Sequence, residues 1–226
     1  MRRVLRPVRV RLGEMHLSLP HLNYTRKALV QPNHDHRICD QIPAFLPVLA
    51  ALPTAGVSLY NLRMVDITPL LPHETNEARL VIYATAHALL NNFATLDEAV
   101  THFREDWPLR DIDDYQKVYV ENGGTFLVTR KDGRIIGTGA LRRLEDQVVE
   151  VKRLWLLPEF QGQGHGYRMM MRLLDIAREK GYTSVRLETS ATYQKNAILF
   201  YKRLGFYEIP RFGDDPDDVA FEMPLT

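Results

Sequence analysis

Residues 157–166, LPEFQGQGHG, lie between a predicted strand and a predicted helix. Gly162, Gly164 and Gly166 occupy alternate positions there, and glycine lets a backbone approach a ligand closely. Amides at the start of a helix form a positively polarised hollow suited to phosphate. The spacing therefore predicts a bound anion, with a plain chain turn as the alternative. Two common phosphate loops do not fit. A Walker A loop needs Lys followed by Ser or Thr after its last glycine, and this chain has Tyr167 and Arg168. A dinucleotide fingerprint needs G-x-G-x-x-G. Residue 167 is Tyr, and only sixty residues follow Gly166 for the rest of a doubly wound sheet, although Glu188 stands near the place of a ribose-binding acid.

The elements around this loop follow from periodicity. Residues 66–71 predict a short strand, 73–92 a helix with Ala78, Val81, Ile82, Ala86 and Leu89 near one face, and 95–106 a second helix. Thr95, with Glu98 three residues on, is a capping signature. Residues 125–130 and 134–141 are strands joined by Lys131-Asp132-Gly133, a strong hairpin signal, and 147–156 continues the meander. Residues 164–180 place Tyr167, Met170, Leu173, Leu174 and Ala177 on one face and stop at Gly181. Strand 183–189, helix 194–204 and strand 218–225 complete the order, with a further short strand at 206–209. The pattern β-α-α-β-β-β-α-β-α-β predicts an α+β or mixed α/β domain over 64–226.

Gln161-x-x-Gly164-x-Gly166 is similar to the Q/R-x-x-G-x-G/A motif of the GNAT acetyltransferase superfamily. The likeness extends through EVKRLWL at 150–156, Pro158, Ala177-Arg178, Gly181-Tyr182, Leu187-Glu188-Thr189, Asn196-Ala197, Tyr201 and Gly205-Phe206. It is strong over 148–206, while residues 66–141 carry no diagnostic motif and 1–63 lie outside it. The resemblance implies a central, twisted, mostly antiparallel sheet whose fourth and fifth strands splay apart, flanked by about four helices. It implies acetyl-CoA as cosubstrate and no metal. The diphosphate of coenzyme A would lie on the amides of Gln161, Gly162, Gln163, Gly164, His165 and Gly166, with the His165 side chain facing it. The pantetheine arm would pair with main-chain groups of Leu154, Trp155 and Leu156, and Asn196 would touch it, unless Asn196 is a helix cap.

Acetyl transfer to a primary amine needs a free lone pair, and an ammonium group with a pKa near ~10 has lost its proton in roughly one molecule in a thousand at neutral pH. Glu150, eleven residues before Gln161, matches the base of one branch of the family. Its neighbours Val149 and Val151 point to the opposite face, and its alternative role is an ion pair with Lys152 or Arg153. Tyr201 matches the family tyrosine near the departing sulfur, against the alternative of a packing residue beside Ile198 and Leu204. A main-chain N–H near Leu154–Leu156 would meet the developing oxyanion. Residues 64–226 contain no cysteine, which favours direct transfer in a ternary complex over an acyl-enzyme. His87, Asn91, Asn92, Phe93 and Trp107 are candidates for the acceptor side, each with core packing or helix surface as its alternative. The implied activity is N-acetylation of a small-molecule amine. A protein acetyltransferase acting on lysine or N-terminal amines and a noncatalytic acyl-CoA-binding module are the alternatives.

The chain of 226 residues is 45% apolar and 25% charged, as a folded soluble protein should be, with a formal charge of +1 that favours neither nucleic acid nor membrane. That charge is a cancellation. Residues 1–63 hold nine basic and three acidic residues, and 64–226 hold twenty and twenty-five, a lean towards a cationic acceptor. The front segment shows no sustained period and predicts a poorly ordered extension; its Arg bias without interleaved aromatics argues against nucleic-acid binding. Residues 42–60 carry no charge, but Pro43, Pro47, Pro53 and Gly56 interrupt them, which argues against a membrane span. The single cysteine, Cys39, predicts a reducing, cytoplasmic setting, and a homodimer is compatible with these features. Met64 stands where charge and periodicity change, and is a candidate initiator. Intact-mass measurement of the protein expressed from its own promoter should then give a mass lacking residues 1–63; a mass including them rules the idea out.

Overall fold

The computed structural model describes residues 65–225 and the short strands Arg9–Val10 and Leu17–Ser18. These two strands pair antiparallel, where the sequence predicted no element. The expectations for the rest of 1–63, the apolar run 42–60 and Met64 lie outside the described residues.

The domain has a seven-stranded sheet: β1 (Val65–Pro69), β2 (Thr125–Lys131), β3 (Arg134–Arg143), β4 (Val148–Leu156), β5 (Ser184–Ser190), β6 (Tyr207–Ile209) and β7 (Asp218–Pro224). The spatial order is β1-β2-β3-β4-β5-β7-β6. Every neighbouring pair is antiparallel except β4 and β5. The predicted hairpin turn holds, with Asp132 and Gly133 both at positive φ, as a two-residue turn matching strand twist requires.

The helices are α1 (Thr75–Leu90), α2 (Leu96–Asp106), α3 (Arg110–Asp113), α4 (His165–Glu179) and α5 (Lys195–Arg203). Thr95 caps α2 as predicted, its Oγ1 accepting from the Glu98 amide at 3.2 Å. The four long helices match the four expected. The short α3 and a π-helical turn at Gln116–Val120 were missed, although Ile112, Tyr115 and Tyr119 are buried at helical spacing and carry the signal. Tyr167 departs from its predicted buried face and is 51% exposed; in that first turn of α4, His165 takes the inward position.

Two apolar clusters sandwich the sheet. One joins α1, α2 and α3 to Phe126, Val128, Ile136, Ala140 and Trp155. The other joins α4 and α5 to Leu127, Leu141, Val149, Val151, Val185 and Phe221. Helix α4 approaches β3 closely at Gly139, where a Cβ would stand 2.9 Å from Met169 Cγ.

A buried ion pair ties the first cluster to β4. Arg153 donates from Nε to Asp111 Oδ2 and from Nη2 to Asp111 Oδ1, both at 2.8 Å, and Tyr119 also donates to this carboxylate. The guanidinium lies 5.5 Å from the Trp107 ring centroid. Burial opposes ionisation of Asp111, but the charge and hydrogen bonds of Arg153, with the Tyr119 hydroxyl, outweigh it and lower the pKa. The pair's contribution is therefore present above the ordinary carboxylate pKa and is lost as pH falls through the depressed one. Asp111→Asn should lower unfolding free energy by about 3 kcal/mol at neutral pH, because it breaks a buried ion pair by removing one of its charges. In urea unfolding series, the deficit should persist down to about pH 4 and close below it.

Candidate active site

Strands β4 and β5 pair over only three positions, Val148 with Ser184, Val149 with Val185 and Glu150 with Arg186. Beyond Glu150 they part, as the expected splay requires. Strand β4 also bulges. Thr138 opposes Trp155 and Ala140 opposes Lys152, so β4 carries one residue more than β3 across this interval. Arg153 sits there at φ 54°, and its carbonyl accepts from Thr138 Oγ1 at 2.7 Å. The bulge turns Arg153 to Asp111, on the same face as Lys152, sends Leu154 towards the α4 cluster and returns Trp155 to the first.

A cavity of about 260 Å³ opens at the parting, lined by residues that include Glu150, Leu154, Trp155, Glu188 and Tyr201. Glu150 is 2% exposed, with Val149 and Val151 buried on the opposite face as predicted. Its Oε2 accepts from Arg142 Nη2 at 2.8 Å, and its Oε1 lies 3.4 Å from Lys152 Nζ. The ion pair predicted as its alternative role is thus present, with Arg142 as the stronger partner; Arg153 is engaged by Asp111 instead. Arg142 was missed because it comes from a neighbouring strand, where it opposes Glu150 directly. Tyr201 is 7% exposed and packs against Phe200, Phe206 and Phe221. Burial raises its pKa, so the phenol keeps its proton.

The loop before α4 has Gly162 and Gly164 at φ 73° and 81°. A Cβ at either would meet open space, so backbone conformation rather than crowding calls for glycine. Gly164 is the N-cap of α4 and no side chain caps the helix, which leaves first-turn amides for an anion. Gln161 and Gln163 brace the loop by donating to the carbonyls of Leu156 and Glu159 at 2.9 and 2.8 Å. Burial, followed by the nearby charges of Arg168 and Lys131, lowers the pKa of His165. These features suit a diphosphate. The His165 side chain does not face outwards as expected: it is 6% exposed, its ring 6.4 Å from that of Phe160, because the first turn buries that position. Its main-chain N–H remains part of the helix start.

Asn196 is exposed within the first turn of α5. The cap alternative fails, since Gln194 is the N-cap. Trp107 and Phe93 belong to the first core cluster, and Asn91 ends α1 in the left-handed conformation; neither these residues nor His87 and Asn92 line the cavity.

The cavity's remaining wall was missed. Residues 212–218, of which the sequence marks 214–217 as an acidic turn before the last strand, bring Phe212, Gly213, Asp214, Asp215 and Asp218 to it. Glu188 Oε1 accepts from the amides of Phe212 and Gly213 at 2.9 and 2.8 Å. Asp217 accepts from the hydroxyls of Ser190 and Thr192, which lower its pKa against burial. Burial, followed by the charges of Asp215, Glu188 and Asp217, pushes the Asp218 pKa up to about 7.

Comparison with known proteins agrees with this geometry. Residues 92–206 match the Acetyltransferase (GNAT) family. The chain is 36% identical over 104 residues to the IAA acetyltransferase of Azospirillum brasilense, spanning 44% of this chain and 67% of that protein. It is 30% identical over 102 residues to the uncharacterized N-acetyltransferase YjgM of Escherichia coli, spanning 44% of this chain and 60% of that one. The fold resembles the crystal structure of the PaiA N-acetyltransferase from Thermoplasma acidophilum in complex with coenzyme A, with a TM-score of 0.58 at 20% identity over 71% of this chain and 99% of the other. With a family match covering half its length, the splayed β4 and β5 and the glycine loop at the start of α4, the chain belongs to the GNAT acetyltransferase family.

Proposed function

We propose that this domain transfers an acetyl group from acetyl-CoA directly to the primary amine of a small molecule within a ternary complex. The observation that carries the reading is that Glu150 and Tyr201, far apart in the chain, line one cavity where β4 and β5 part. Acetyl-CoA supplies the acyl group as a thioester. The amides of residues 161–166 hold its diphosphate, with Lys131 and Arg168 adding positive potential. Main-chain groups of Leu154, Trp155 and Leu156, beyond the point where β5 stops pairing with β4, hold the pantetheine arm, and Asn196 borders it.

Glu150 takes the proton from the acceptor ammonium, directly or through water, and frees the lone pair that attacks the thioester carbonyl. Arg142 and Lys152 fix its carboxylate, which has lone pairs beyond those they engage. A main-chain N–H at the bulge faces the developing oxyanion as a fixed dipole. Tyr201 holds a hydrogen bond to the departing sulfur. The amine gives up a proton and the sulfur finally takes one, so the products are the amide and the free thiol. The acidic wall favours a cationic acceptor, and Cys39 supports a reducing, cytoplasmic setting.

Release of free CoA thiol across a panel of amines and peptides tests the reading. Turnover on free amines is expected. Activity on peptides alone would point to a protein acetyltransferase, and absence of both turnover and acetyl-CoA binding would remove the proposal. Glu150→Gln should lower kcat about 100-fold and Tyr201→Phe roughly 10- to 100-fold, with acetyl-CoA binding retained. Tight binding with unchanged behaviour in both variants would identify a noncatalytic module.

A further inference from the structure

The carboxylates lining the cavity are not met alike. Glu150 is matched by Arg142 and Lys152, and Arg153 is matched by Asp111. The opposite wall holds Glu188, Asp215 and Asp218. Asp215 and Asp218 are 4% and 8% exposed, and Asp215 Oδ2 and Asp218 Oδ1 have no hydrogen-bond partner although both atoms are buried. A buried carboxylate oxygen without a partner is costly. Two of them, on residues that line one cavity, mark a place for a cation.

The wall is also held in place from several directions. Glu188 receives the Phe212 and Gly213 amides, Asp215 Oδ1 accepts from the Asp217 amide at 2.9 Å, and the Asp218 amide donates to the Asp215 carbonyl at 3.2 Å. Ser190 opposes Asp218 in the β5–β7 ladder, which fixes the start of β7 beside the end of β5.

We infer that Asp215 and Asp218, with Glu188 beside them, form a subsite for a second positive charge, so that the acceptor is a small aliphatic diamine rather than a monoamine. The inference rests on the transferase reading above. One nitrogen is deprotonated at the Glu150 end of the cavity and attacks. The other stays an ammonium ion, donating hydrogen bonds to the two unpartnered carboxylate oxygens, and takes no part in bond making. A carboxylate with an unmet acceptor gains most from a donor that carries full charge. A monoamine of the same carbon chain can serve only one end of the cavity at a time.

The test is calorimetric titration of the full chain, saturated with CoA at slightly alkaline pH, with 1,4-diaminobutane and with 1-aminobutane. The diamine should bind at least tenfold more tightly. In Asp215→Asn/Asp218→Asn this preference should fall below threefold. Asp218→Asn alone should cost three- to fivefold of the preference, which keeps the test decisive if the double variant does not fold. Equal binding of the two amines by the wild-type chain overturns the inference, as does a preference that survives the substitutions. Thiol release from acetyl-CoA reads the other proposal separately. Diamine binding without thiol release leaves the subsite standing and removes the transfer reading; thiol release with no discrimination between the amines does the reverse.

Discussion

The site depends on a parting of two strands. Backbone N–H and C=O groups are obligatory hydrogen-bonding groups, so strands that separate inside a sheet must be forced apart and compensated. Here β4 and β5 share three residue pairs and then diverge. The bulge at Arg153 accompanies the divergence, and a left-handed backbone at a residue with a Cβ costs about 1–2 kcal/mol. Thr138 holds the Arg153 carbonyl, while Asp111 and Tyr119 hold its side-chain network. Strain at the site is offset by a buried pair whose other half comes from the segment after α2. The candidate site and the helical layer are therefore one structure.

Local signals were legible in the sequence because each rests on short-range physics. The glycines of 162–166 announce a backbone conformation, Thr95 with Glu98 a cap, Asp132-Gly133 a hairpin, and the spacing in α1 and α4 their buried faces. The order of elements along the chain followed from these. Glu150 and Tyr201 were found through a resemblance, and the structure brings both to one cavity.

What escaped was non-local or defied alternation. Simple alternation would place Arg153 and Trp155 on the face of Val151, and the bulge reverses this; an arginine at positive φ leaves no mark in a sequence. The Arg142–Glu150 pair needed the register of β3 against β4. His165 looked like a loop residue and is buried because α4 begins at that position and turns the ring inwards. The acidic turn was seen as a turn, but only the packing of β7 against β5 carries it to the cavity.

Glu188 offers its carboxylate to two amides of the acidic loop, and Asp217 binds two hydroxyls at the end of β5. A wall fixed in this way has given up its conformational freedom before any ligand arrives, so that entropy is not charged again at binding. It also cannot follow the ligand. The distance from that wall to the splayed strands is set by the sheet, which makes the cavity a ruler: selectivity falls on the length of a molecule between its charged ends.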